Sequence, residues 1–156
     1  MATHYPRTAT RHNVSNWICL VRLADLLDGA TEHKRLKLLL DFLPDESVSH
    51  LLDDPSVEAL IGIEPPLESI VSSKYERLDE ERARNLIETV RSYRESDPKS
   101  SVSALTEILK RIRNRRAHGF KTPDGPRDEE ILGNAAEILR VMVLLAADEL
   151  ERECVG

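Results

Sequence analysis

One short segment of this chain combines residue types that can move a proton and hold a phosphate: Arg113-Asn114-Arg115-Arg116-Ala117-His118-Gly119. Histidine, with an unperturbed pKa of about 6.5, can both accept and donate a proton near neutrality. Arginine stays charged and grips phosphate through a planar, bidentate fork. RNA brings its own nucleophile, the 2′-hydroxyl, so a histidine and an arginine suffice for cleavage without a metal. In that chemistry His118 activates the 2′-hydroxyl or protonates the leaving 5′-oxygen. Arg113 stabilises the charge that develops on phosphorus. The product ends would be a 2′,3′-cyclic phosphate and a 5′-hydroxyl.

Charge singles out the same region. From Lys110 to Lys121 there are six cations (Lys110, Arg111, Arg113, Arg115, Arg116 and Lys121) and no acid. The whole chain carries −6, so setting those six positive charges aside leaves −12 for the rest. A polyanion would therefore be drawn to one place and not to the surface at large. Arg111, Arg115, Arg116 and Lys121 are the candidate RNA-binding residues, beside Arg113, His118 and Asn114 as candidate catalytic ones. A plainer reading competes with this one. Cations near a helix C-terminus gain ~0.3–1 kcal/mol each from the helix dipole, and the stretch would then be a solvated face.

The element that must position these residues is a helix. Leu105, Ile108, Leu109 and Ile112 recur at helical spacing and define its core face. With Leu105 at zero on a wheel, Arg116 falls at about +20°, within the core stripe, and Arg113 at about +80°, on its shoulder. Asn114 near 180° and His118 near −140° lie together on the polar side, with Arg111 and Arg115 extending it. Asn114 can therefore hydrogen-bond the ring of His118 or a substrate beside it. Arg113 and His118 stand about 140° apart and do not share a pocket on one regular helix. They converge if the helix loosens at Ala117-His118-Gly119, or if a second copy of the helix faces the first.

Elsewhere the pattern is also helical. Residues 1–12 are polar and aperiodic and read as a loose tail, and 13–153 as one domain. A first helix carries Trp17 to Leu27, capped by Asn13 or Ser15, and a second runs from Thr31 to Phe42 until Pro44 stops it. Prolines at 44, 55, 65 and 66 cut the next stretch into short pieces, with one or two helical turns at Glu46–Leu52 and Ser56–Ile61. Pro65-Pro66 can start another helix through Leu67, Ile70 and Val71. Ala83, Leu86, Ile87, Val90 and Tyr93 form a stripe in a helix from Asp79 to Ser96. After a break at Asp97-Pro98, Ser101 or Ser103 caps the basic helix, and Gly119 ends it. Pro123-Asp124-Gly125 signals a turn. The last helix, from Arg127 to Arg152, carries a wide apolar face from Ile131 to Ala146. With no strand alternation, the fold class is all-α: a compact bundle of four or five main helices.

Composition narrows the function classes. Neither Cys19 nor Cys154 sits in a CxxC pair, and no Cys/His cluster has zinc spacing, so neither a metal nor a cofactor is expected. The longest apolar run, Val141 to Ala147, is too short for a bilayer, and the N-terminus has no signal-peptide run. The expected setting is cytoplasmic, with no membrane partner. His4, His12, His33 and His50, and the acid pairs Asp53-Asp54 and Glu80-Glu81, carry no sharper reading than surface or tail.

Arg113-Asn114-Arg115-Arg116-Ala117-His118-Gly119 resembles the R-N-x-x-x-H-G form of the Rx4–6H motif of HEPN domains. The apolar helix before it and the long apolar helix after it match that setting. The resemblance implies a helical bundle that dimerises with two motifs facing each other in a basic cleft. It further implies a metal-independent ribonuclease of a toxin–antitoxin, phage-defence or RNA-processing system. RNA, a second copy and an antitoxin protein are the partners it implies. The family's catalytic arginine and histidine fall on Arg113 and His118, and its supporting polar residue on Asn114. Where some family toxins continue as H-x-Y with a modifiable tyrosine, this chain has Phe120, which lacks the hydroxyl. Other members use the fold as a non-catalytic module that binds a nucleotide, RNA or a protein, which is the alternative reading.

Overall fold

Apolar residues at helical spacing, punctuated by proline and capping acids, set the elements. The computed structural model describes residues 37, 39–64, 73–117 and 125–155, with side chains described at 37, 39–64, 81–112 and 129–152. The tail 1–12 and the helices expected before residue 37 and over 65–72 lie outside the described residues. Every regular element among the described residues is helical, so the chain is an all-α bundle.

Helical residues 39–42 bury Leu39 and Leu40 and end before Pro44. Helix α1, Asp45–Leu52, opens with Asp45 and Glu46 in its first turn, where acids suit the positive end of the dipole. It buries Val48, Leu51 and Leu52. Helix α2, Pro55–Ile61, follows at once. Asp54 caps it by accepting from the Ser56 amide at 2.9 Å, and Pro55 takes a first-turn position that has no use for an N–H. It buries Val57, Leu60 and Ile61.

Helix α3, Ser73–Tyr93, starts six residues before the expected Asp79. Nothing from Ser73 to Leu78 is a glycine or proline, so no local signal stops the helix from extending backward. Ala83, Ile87 and Val90 are buried as expected, whereas Tyr93 is 48% exposed at the last turn. Helix α4, Pro98–Ala117, also begins earlier than expected. Its cap is Asp97, not Ser101 or Ser103. The Asp97 carboxylate accepts from the Ser100 hydroxyl at 2.6 Å and from the Ser100 amide at 3.3 Å. Ser101 is buried and donates its hydroxyl to the Val90 carbonyl at 2.7 Å. Helix α5, Gly125–Val155, is the longest. Ile131, Leu132, Ala135, Ile138, Leu139, Met142 and Ala146 are buried, while Leu144 is 51% exposed.

The most extensive helix pairing is α3 with α4. Helix α2 packs on α5, α1 on both α4 and α5, and α4 on α5. One continuous apolar core joins them. Polar ties tether the first helices to the α3–α4 pair. Arg94, just past α3, donates to the Leu52 carbonyl at the end of α1 and to Glu58 of α2 at 3.3 Å. Glu58 also lies 3.8 Å from Arg91. Arg84 forms a two-pronged pair with Glu64, both contacts at 3.2 Å. Lys99 donates to the Asp41 carbonyl at 2.9 Å.

Candidate functional site

The site is built on the last turns of α4. Leu105, Ile108 and Leu109 are fully buried and Ile112 nearly so, as the helical spacing predicts. Burial of that stripe fixes the rotation of the helix about its own axis. Since α4 remains helical through Ala117, that rotation carries on through the first five residues of the motif. Arg113, Asn114, Arg115, Arg116 and Ala117 therefore occupy successive positions on one unbroken helix. Their side chains lie outside the described ones. His118, Gly119, Phe120 and Lys121 lie outside the described residues altogether.

One of the two routes by which Arg113 and His118 were expected to converge, loosening at Ala117-His118-Gly119, falls mostly outside the described residues. The helix does not loosen at or before Ala117, so the angle between Arg113 and Asn114 stays near 100°. Arg116 keeps the position that continues the Leu105–Leu109–Ile112 stripe.

Two cations preceding the motif are described in full. Lys110 lies 3.9 Å from Glu107, one turn back on its own helix. Arg111, expected on the polar side, is half-buried, and its Nε is shut off from solvent. It has a partner within the chain. A signal for this was present in the sequence. Arg111 follows Ser101, Ala104 and Ile108 at the three-and-four spacing of a helix–helix seam, a second stripe beside the one centred on Leu105.

The α3–α4 hairpin explains that second stripe. Four residues, Arg94 to Asp97, separate the two helices, so they run antiparallel. The Ser101–Val90 hydrogen bond pins their register. Stepping along both helices from that bond sets Ile87 beside Ala104 and Ala83 beside Ile108. All six residues are buried, and each layer matches a large side chain with a small one. By the same register the first turns of α3, from Ser73, run alongside the last turns of α4. These were not among the residues singled out from the sequence, because nothing local marks them.

Among the described residues, no cluster of His, Cys, Asp or Glu could hold a metal ion. No helix among them is long and apolar enough to cross a membrane. Among the described residues, the shifted titrations are those of Glu137 and Arg140 on α5. The Arg140 fork donates to Glu137, from Nε at 2.9 Å, which holds the Glu137 carboxyl below the usual carboxylate range and raises Arg140. Comparison with family models, curated proteins and solved structures finds no match to the chain.

Proposed function

We propose that the chain is a metal-independent endoribonuclease of HEPN type that works as a homodimer. The supporting observation is that α4 carries Arg113 to Ala117 without a break from a fully buried stripe. Such a helix gives the positions from Arg113 to Ala117 a fixed orientation relative to the core, and positional catalysis requires an orientation of that kind. Its cations stand in a chain that is otherwise acidic, so phosphate is steered to this end.

In this mechanism the 2′-oxygen of RNA attacks the adjacent phosphorus and the bond from phosphorus to the 5′-oxygen breaks. One His118 takes the 2′-hydroxyl proton, and a histidine in its protonated form returns a proton to the departing 5′-oxygen. Arg113 neutralises the charge that builds on the phosphoryl oxygens. Asn114 orients the imidazole or the ribose. A second copy supplies the groups that one regular helix cannot bring together, since Arg113 and His118 are separated by about 140° of rotation.

The test is incubation of wild type and His118→Ala with RNA in the presence of EDTA. Cleavage by wild type alone, with cyclic phosphate ends, is the expected result. Equal weak cleavage by both proteins would assign the activity to a contaminant and overturn the reading. Tight RNA or nucleotide binding with no cleavage would mark a binding module instead.

A further inference from the structure

Helix α4 carries a single acid, Glu107, and it stands one turn before the basic stretch. Its carboxylate lies 3.9 Å from Lys110, the first cation of that stretch, and the two side chains are 39% and 31% exposed. Arg111, the second cation, is half-buried, has its Nε closed to water and is engaged within the chain. Both cations are therefore occupied before any ligand arrives. Glu107 also shares one side of the helix with Asn114 by position. On the wheel it falls at about −160°, with Arg111 and Asn114 to either side of it, and the unbroken helix sets it roughly 10 Å before Asn114. That separation is close to the Debye length of about 8 Å at physiological salt. A phosphate moving back along this side of α4 therefore meets the field of the carboxylate.

We propose that Glu107 marks the boundary of the RNA footprint: a single RNA strand crosses the end of α4 from Arg113 onward and does not run back along the helix. The proposal rests on the RNA-binding part of the ribonuclease reading and not on cleavage. RNA binding gains from the counterions released when a protein cation neutralises a phosphate. Lys110 already has the Glu107 carboxylate beside it and adds little to that release. Arg111 can reach a phosphate only by leaving its place in the fold, so it departs from the set of RNA-binding residues expected from the sequence. The basic stretch thus divides by role, with Lys110 and Arg111 serving the protein and the cations from Arg113 onward serving RNA. Glu107 is a specificity-determining residue in this scheme, since it sets where the strand must stop.

The test measures binding of a labelled, single-stranded 2′-O-methyl oligonucleotide, which lacks the nucleophile and survives the assay, across a range of salt concentrations. Lys110→Gln and Arg111→Gln should keep the wild-type slope of log affinity against log salt. Arg116→Gln should lower that slope by about 0.7, the value for one phosphate contact on a single strand. Glu107→Gln should bind more tightly than wild type and steepen the slope, because the boundary is gone and Lys110 is released. A slope lowered in Lys110→Gln as much as in Arg116→Gln would overturn the proposal, as would an unchanged affinity in Glu107→Gln. Equal slopes in every variant would place the strand elsewhere on the protein and overturn it too. Should Arg111→Gln fail to fold, the exposed pair of Lys110→Gln and Glu107→Gln reads the same boundary. Cleavage of ordinary RNA is scored separately. The expected slopes in a wild type that cleaves nothing would uphold the boundary and reject the ribonuclease reading alone, whereas cleavage with a lowered Lys110→Gln slope would do the reverse.

Discussion

The buried hydroxyl of Ser101 donates to the Val90 carbonyl at 2.7 Å, and this bond joins the start of α4 to the end of α3. It is a short-range device with a long-range effect, because the register it sets decides which residues meet some 20 Å further along, at about 1.5 Å of rise per residue. Ser101→Ala should cost about 1 kcal/mol, the usual net worth of one hydrogen bond. Ser101→Leu should cost more, about 1–3 kcal/mol, since a larger side chain must be forced into a full layer beside Val90. Equilibrium denaturation of both variants checks the order, and a neutral Ser101→Leu would mean that the layer is not closely packed.

Arg94 ties three helices together through a single guanidinium. It reaches the Leu52 carbonyl and Glu58, so its loss frees the end of α1 and the side of α2 at once. Arg94→Met is expected to lower stability by about 1–2 kcal/mol, consistent with a charge-assisted bond that is partly shielded from water. Arg94→Lys should recover little, because a point charge cannot serve both acceptors. Thermal unfolding of the two variants is the measurement. Full recovery by lysine would reduce the role of the fork to charge alone.

The pair on α5 predicts a pH signature. Arg140 hydrogen-bonds Glu137 and holds its carboxyl below the usual range. A group whose folded pKa is depressed contributes stability above its unfolded pKa of about 4.3, and that contribution is lost as pH falls through the folded value. Both side chains are more than a third exposed, so solvent screening keeps the contribution of the pair small near neutrality. Glu137→Gln should therefore be slightly less stable than wild type at pH 7, and the gap should close in acid. A gap that widened on acidification would contradict the assignment.

For the proposed chemistry, His118→Ala should reduce cleavage by about 10²–10⁴-fold, the usual span for one general acid–base group. Arg113→Lys should stay impaired, since the fork and not the charge alone meets the phosphoryl oxygens. Asn114→Ala should fall between wild type and His118→Ala. Single-turnover assays separate these losses from binding, and light scattering at tens of micromolar reports the dimer. A monomeric protein that cleaves at full rate would remove the need for a second copy.

How much of this was legible in the sequence differs between elements. The 3.6-residue recurrence of Leu105, Ile108, Leu109 and Ile112, and of the α5 face, identified their buried sides without any partner in view. Pro44 and Pro55 marked helix boundaries through backbone chemistry that is local, whereas Asp54, read as surface, proved to cap α2. The start of α3 at Ser73 and the Asp97 cap of α4 were misplaced because several adjacent residues could serve each role equally well. The motif itself was visible from residue types and spacing.

Composition, periodicity and the basic stretch therefore come from the sequence alone: an all-α chain, the rotation of α4 about its axis, and the charges at its end. Only the tertiary structure decided that α3 lies against α4 in the register of Val90 and Ser101, so that Ile87 falls beside Ala104 and Ala83 beside Ile108. The reason is physical. Which face of a helix is apolar is a property of the helix itself. Which two faces exclude water together, and at what offset, depends on side-chain sizes brought from distant parts of the chain.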